Sequence, residues 1–172
     1  MAASMWYPSV DDVLALHEDI VSEYPDTPSG VATRGDVEFT LDYIENGSFG
    51  SVPELIHEKA YHLLRLFVAN HPFVDANKRT ALNTAAVFYA LNGYRFEYDN
   101  DIRAVLKNLG TDETRVDEGE IVAYLRTHTG DGEESPSRPA NAVEENRRES
   151  VRRVAAVDRE SNRDVYDALE NE

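Results

Sequence analysis

Apolar residues recur at helical spacing along most of the chain. Val10, Val13, Leu14, His17, Ile20, Val21 and Tyr24 share one face over residues 10–24, the repeat of an amphipathic helix. His17 lies on that face, which marks it as a satisfied core histidine rather than a catalytic one. A loop with Pro25, Pro28, Gly30 and Gly35 follows, then a short helix around 36–45. Ser51-Val52-Pro53-Glu54 reads as a capping box with proline in the first turn, opening a helix that runs to about Asn70. Leu55, Ile56, Ala60, Leu64, Phe67 and Val68 give it a buried stripe. His57 and His62 on the same helix stand five apart rather than four, so they read as ordinary surface groups and not as a metal pair.

Residues 78–92 carry a different pattern. Ala81, Leu82, Ala85, Ala86, Val87, Phe88, Ala90 and Leu91 leave this helix apolar on most sides after its first turn, as expected of the central helix of a bundle. Gly93 stops it. Residues 94–98 read as extended, and helices follow near 101–109 and 117–127, with core positions at Ile102, Val105, Leu106, Leu109, Ile121, Val122 and Leu125. The fold class is all-α. At Gly130 the composition shifts to G-D-G-E-E-S-P-S-R-P, a linker, and the chain beyond Ala142 is charged with scattered valines. Val151, Val154, Val165 and Leu169 fit part of an amphipathic helix docking on the domain or a partner. The charge density favours a solvated, flexible tail. The expected division is therefore a domain over 1–129 and a charged linker and tail over 130–172.

At 172 residues the chain suits one compact domain with an extension. It has no cysteine, so a disulfide framework and a thiolate metal site are both excluded. No apolar run approaches the roughly 18 residues of a membrane span, and the N-terminus lacks a secretory pattern. These features predict a soluble, cytoplasmic protein with no membrane partner. The formal net charge is −16, and Lys59, Lys78 and Lys107 are the only lysines. An acidic, lysine-poor surface of this kind is like that of proteins from salt-loving organisms. It repels nucleic acid, so no nucleic-acid partner is expected, and it repels ATP as well. A polyphosphate could bind only where positive charge is gathered locally.

Residues 71–82, H-P-F-V-D-A-N-K-R-T-A-L, gather it. Pro72 biases His71 away from helical geometry, which holds the imidazole on a bend after the preceding helix. Phe73 is expected to anchor the loop in the core. Asn77 is expected to cap the helix that starts at Lys78, leaving its first backbone N–H groups unpaired. Those donors form an anion site with Lys78 and Arg79, two cations that would otherwise be misplaced at the positive end of a helix. Asp75 suits a hard divalent ion, Mg²⁺. Taken singly, His71 or Asp75 fits a loop that merely caps helices. A general base, a metal ligand and phosphate-binding cations within nine residues instead point to phosphate-group transfer from a nucleotide.

These residues resemble the Fic/Doc family. Its general pattern, H-P-F-x-[DE]-G-N-G-R-x-x-R, is followed at His71, Pro72, Phe73, Asp75, Asn77 and Arg79. The chain departs from it at Ala76, Lys78 and Leu82, and those departures match the Doc branch, H-x-F-x-D-A-N-K-R-T-A-L-N, complete through Asn83. Residues 10–24 and 88–94 look like further Doc segments, and the resemblance covers about residues 5–129. It implies a Fic/Doc-type helical bundle built around the motif-bearing helix. It also implies a toxin of a toxin–antitoxin pair: a protein kinase using ATP and Mg²⁺ on the translation elongation factor that delivers aminoacyl-tRNA. In that reading His71 is the catalytic base, Asp75 holds the metal, and Asn77, Lys78 and Arg79 bind the nucleotide's phosphates. Fic-type AMP transfer uses the same groups on the α-phosphate, and a silent interaction module is a third reading. Lys78 favours the kinase, because a long cationic side chain fills space that a phosphate occupies in Fic enzymes and so reverses the nucleotide. Fic-type enzymes are commonly inhibited through a Ser/Thr-x-x-x-Glu-Gly/Asn segment that pairs with the motif's final arginine. That arginine is Leu82 here, and the one matching segment, 114–119, precedes the last expected helix of the domain. A separate antitoxin laying a helix near the motif is the expected regulator.

Overall fold

The structure, a computed structural model, describes residues 5–48, 50–111, 116–131 and 144–170. Eight helices are described: α1 (Val10–Glu23), α2 (Arg34–Asn46), α3 (Ile56–Asn70), α4 (Asn77–Leu91), α5 (Ile102–Thr111), α6 (Glu118–Thr127), α7 (Glu144–Ser161) and α8 (Arg163–Glu170). Two three-residue strands, β1 (Tyr94–Phe96) and β2 (Thr129–Asp131), pair antiparallel with Arg95 opposite Gly130. The all-α expectation holds. No described helix is long and apolar enough to cross a membrane.

Helix α4 is the axis of the bundle. Twelve of its 15 residues are buried, and α1, α3, α7, α8 and β1 all pack on it. An element with almost no solvated face is held from every side. Helix α4 carries the motif at its N-terminus. Around it α3 packs on α2, α5 and α6, and Leu63, Leu64, Phe67, Val68, Phe88 and Leu106 fill the core between them.

Several local expectations are corrected. The capping box at Ser51 does not open α3, which begins at Ile56. Ser51 instead exchanges two backbone hydrogen bonds with Ser48, at 2.9 and 3.0 Å. The turn is closed over Gly47 (φ 74°), where a Cβ would lie 2.1 Å from the Ser51 carbonyl oxygen. The linker reading of Gly130 is corrected as well, because Gly130 and Asp131 belong to β2. His57 and His62 are half-buried, not surface groups. His57 Nδ1 lies 3.0 Å from the Tyr89 hydroxyl, and burial pushes the His62 imidazole down to about 4.

The largest correction concerns the flexible tail. Over 144–170 the chain is two docked helices, with Val151, Ala155, Val165, Tyr166 and Leu169 buried. Arginines on one side meet carboxylates of α1 on the other. Arg147 and Arg148 reach the buried Asp12 at 2.9 Å each, Arg152 reaches Asp19 at 2.8 Å, and Arg159 reaches Glu23 at 2.6 Å. The order of these pairs means that α7 runs parallel to α1. Burial works against the carboxylates of Asp12 and Glu23, but hydrogen bonds and the facing arginines hold both below the usual carboxylate range. Charge that reads as solvated in sequence is paired in the fold.

Asp158 of α7 behaves oppositely. It sits among the Tyr98 and Tyr166 hydroxyls (2.9 and 2.5 Å) and the amides of Asn83 and Asn162. Burial, only partly offset by these donors and by Arg159, pushes its carboxyl up to about 6. A carboxyl whose folded pKa is raised binds its proton more tightly in the native state, so its contribution to stability is full below the unfolded value and fades as pH rises to about 6. The unmodified chain should therefore lose on the order of 1–3 kcal/mol relative to Asp158→Asn between pH 4 and 6.5, then level off. Thermal melts of both proteins across that range check this. A constant difference between them would contradict it.

Candidate active site

The motif loop bridges α3 and α4, and both ends of it are left-handed. His71, the residue that closes α3, has φ 50° and ψ 60°, and Ala76, the N-cap of α4, has φ 66° and ψ 28°. These are the only non-glycine residues with positive φ among those described. Such backbone costs energy and persists where the surroundings over-determine it. Here the surroundings are visible. The Ala32 and Thr33 amides both donate to the Pro72 carbonyl (2.8 and 3.0 Å), the Val74 amide donates to Gly30 (3.0 Å), and Phe73 bridges to Val31.

Asn77 is not the cap expected from sequence. It is the first residue of α4, and its side chain turns back on the loop. Its Oδ1 accepts from the Phe73 amide and its Nδ2 donates to the Phe73 carbonyl, both at 3.0 Å. This clasp closes the loop into one turn and presents the first amides of α4, which have no acceptor within the helix. Phe73 is buried, as expected.

His17 is the core histidine anticipated, with a task that sequence reasoning missed. Its ring stacks on Phe73 at 4.0 Å, nearly parallel. Its Nε2 lies 3.0 Å from the Asp75 carbonyl oxygen, which can only accept, so Nε2 carries the proton. Burial pushes its pKa down, which keeps the ring neutral. His17 thus fixes the backbone of the acidic motif residue from another helix. His17→Phe keeps the ring and removes the donor. It should cost about 1–3 kcal/mol by leaving a carbonyl unpaired and should lower activity by loosening Asp75. An unchanged melting temperature would contradict the role.

The polar groups of the motif gather around a cavity of about 100 Å³, walled by His71, residues 75–79 and Leu169 of α8. His71 is exposed at its mouth. The Asp75 side chain is about half exposed, with Oδ1 accepting from the Ala76 amide at 2.7 Å and 4.0 Å from Arg79 Nη2. Arg79 is only 2% exposed. Its guanidinium stacks 4.8 Å over the Tyr24 ring, and Nη1 has no hydrogen-bond partner. Burial pushes its pKa down while Asp75 and Glu170 favour the cation. A buried, unpaired cationic donor beside open helix amides is half of an anion site. Lys78 is half-buried and reaches Gly110 near the end of α5, where a Cβ would lie 3.3 Å from its Cε. The fold thus brings all five site residues named from sequence together.

Asp75 also suits a magnesium ion. Among the described residues no three His, Asp or Glu side chains form a ready-made metal cage. Mg²⁺ ordinarily takes one or two protein carboxylates and completes its shell with water and substrate phosphate, and a half-exposed carboxylate beside an anion site meets that habit.

Residues that sequence reasoning passed over also converge here. Leu169, one position of the amphipathic pattern in the tail, forms a wall of the cavity. Asn83 ends the motif, but its side chain faces α7: Nδ2 donates to the Ala155 carbonyl at 3.1 Å and Oδ1 accepts from Arg159 at 3.0 Å. The segment 114–119, considered as an inhibitory motif, lies partly outside the described residues at 114 and 115.

Residues 7–89 match the sequence model of the Fic/DOC family. Over 86 residues the chain is 33% identical to the protein kinase Doc of Escherichia phage P1, an alignment covering 49% of this chain and 67% of that protein.

Proposed function

The chain belongs to the Fic/Doc family, and on that premise we propose that it is a Doc-type toxin kinase that moves the γ-phosphate of ATP to a Ser or Thr hydroxyl of a protein. The observation that supports the reading is the Doc form of the motif on a constrained loop, with an exposed imidazole, a half-exposed carboxylate, and a buried guanidinium whose Nη1 has no hydrogen-bond partner at the N-terminus of α4.

In this reading His71 accepts the hydroxyl proton as the oxygen attacks the γ-phosphorus. The bond from that phosphorus to the β-phosphate oxygen breaks, and ADP leaves. Arg79 and the amides of Asn77, Lys78 and Arg79 hold the phosphates, and Asn77 keeps those amides in place through its clasp on Phe73. Asp75 would hold Mg²⁺, which when bound supplies charge neutralisation on the phosphates. Lys78 sets which end of the nucleotide meets His71. An AMP transferase would use the same groups on the α-phosphate.

The proposed protein target is a translation elongation factor. A separate antitoxin remains part of the reading, with α7 already packed on both α1 and α4. Incubating the purified chain with an elongation factor and Mg·ATP, then mapping the product by mass spectrometry, tests target and chemistry together. The expected result is one phosphorylated Ser or Thr. An adenylylated residue would replace the kinase by AMP transfer, and no modification would reject the target.

A further inference from the structure

Strand β1 follows the C-terminal end of α4 and has β2 on one edge only. The Glu97 amide donates to the His128 carbonyl at 2.7 Å, and Arg95 stands opposite Gly130, so the backbones of Arg95 and Glu97 face β2. Alternate residues of an antiparallel strand turn their N–H and C=O groups to opposite edges, and those of Tyr94 and Phe96 therefore face away from it. A groove of about 420 Å³ runs along that second edge. Residues 94–98 all line it, which a strand approached from one face would not allow. Ala86 and Ala90 of α4 and Val154 and Val157 of α7 supply the rest of its apolar lining. Val157 is 60% exposed, the most of any large apolar residue described.

This edge is complementary to itself. Its sequence, Tyr94-Arg95-Phe96-Glu97-Tyr98, sets opposite charges symmetrically about Phe96. Arg95 and Glu97 are exposed on the outer face, while Phe96 is half-buried on the inner one, its ring 5.0 Å from Tyr89 and 4.9 Å from Tyr98. Laid antiparallel against a second copy with the two Phe96 residues opposed, the outward Phe96 N–H and C=O groups bond each other. Arg95 of each copy then meets Glu97 of the other in a non-hydrogen-bonded pair, where side chains come closest. The same two groups already attract within one chain, with Arg95 Nε 3.2 Å from Glu97 Oε1. The two Phe96 rings lie side by side on the inner face, where the groove and Val157 receive them. Charges on a short edge ordinarily guard against pairing, but here every charge meets its opposite.

We propose that the open edge of β1 is a self-association surface, joining two copies of this chain about a two-fold axis into a four-stranded sheet ordered β2-β1-β1-β2. Such pairing uses the same patch on both copies and closes at two. It lies at the far end of α4 from the motif, roughly 20 Å along a helix of 15 residues, and does not depend on what the motif transfers. Each chain carries a formal net charge of −16, which opposes association at long range. At about 0.15 M salt the Debye length is about 8 Å, so the wider repulsion is screened while charges in contact across the strands still interact.

Sedimentation equilibrium of the full chain over a concentration series at that salt tests this, and a monomer–dimer equilibrium is the expected result. Arg95→Glu sets carboxylates opposite each other in both cross-strand pairs, and Glu97→Arg does the same with guanidinium groups. Each variant alone should associate roughly 10-fold more weakly than the unmodified chain. Mixing the two variants restores opposite charges in both pairs and should recover the lost affinity. The double exchange, Arg95→Glu with Glu97→Arg, should recover it too, with the net charge unchanged. A folding defect would not be cured by mixing, and both positions are exposed. Amide exchange followed by NMR gives an independent readout: the Phe96 N–H should become protected as concentration rises. A chain monomeric at every concentration, a dimer indifferent to both charge reversals, or a mixture that fails to recover would overturn the proposal. So would a Phe96 amide already protected in the dilute monomer, which would mean that the edge is covered from within the chain.

Discussion

Replacing His71 by alanine is expected to lower phosphoryl transfer by about 10²- to 10⁴-fold, the contribution of a positioned general base, while leaving the melting temperature nearly unchanged. The two halves of the expectation have separate grounds. The imidazole is exposed at the mouth of the motif cavity, outside the core, and substitutions at such positions usually change stability by less than about 0.5 kcal/mol. No other histidine can take over. His17 is buried and holds the Asp75 carbonyl, His57 faces Tyr89, His62 lies between Arg65 and Glu118, and His128 stacks on Tyr124; of the five, only His71 lines the motif cavity. Steady-state rates with a thermal melt check both halves. Retained activity would mean that the base lies elsewhere, and a large fall in melting temperature would mean that the loop depends on the ring.

Tyr166→Ala should have the largest effect on stability, about 3–5 kcal/mol for removing a fully buried aromatic ring. Its hydroxyl is also a donor to Asp158, so the truncation takes a partner from a buried carboxylate as well. Tyr166→Phe isolates that second part and should cost about 1–3 kcal/mol. The pair measures whether residues 144–170 belong to the cooperative unit. If Tyr166→Ala melted like the unmodified chain, the tail would be solvated, as its composition suggests, and the docked helices would be wrong. Chemical denaturation followed by circular dichroism gives the comparison directly.

What the sequence made legible, and what it hid, follows from the range of the interactions involved. Helices α1 and α3–α6 were visible because apolar residues three and four apart report a buried face locally, as at Val13, His17 and Ile20 of α1. The five site residues were visible because chemistry had packed them into nine positions. Asn77 was placed at the right helix end but given the wrong partner. A capping side chain and one that clasps Phe73 differ by a single residue of register, set by Ala76 in a left-handed conformation. The capping box at Ser51 failed because Ser48 claims the Ser51 backbone, a competition that no capping pattern encodes.

The tail was half visible, since Val151, Val165 and Leu169 of the amphipathic alternative are the positions buried, and its charge hid the rest. Arginine-rich α7 has a strongly polar composition, and read alone it belongs in water. Its partners Asp12, Asp19 and Glu23 lie more than a hundred residues earlier, as Arg159 and Glu23 illustrate with 136 residues between them. Local periodicity cannot report such complementarity. The fold pairs these charges across a seam, and Leu169 is thereby carried to the motif cavity.

In the proposed reaction His71 faces the γ-phosphate, and Lys78 excludes the opposite nucleotide orientation. Parallel incubations of the chain with a cell extract and either α-labelled or γ-labelled ATP test it most directly, using His71→Ala as the control. Label entering protein from the γ position alone, and absent from the control, is the result expected. Label entering from the α position would contradict the claim and assign the chain to AMP transfer.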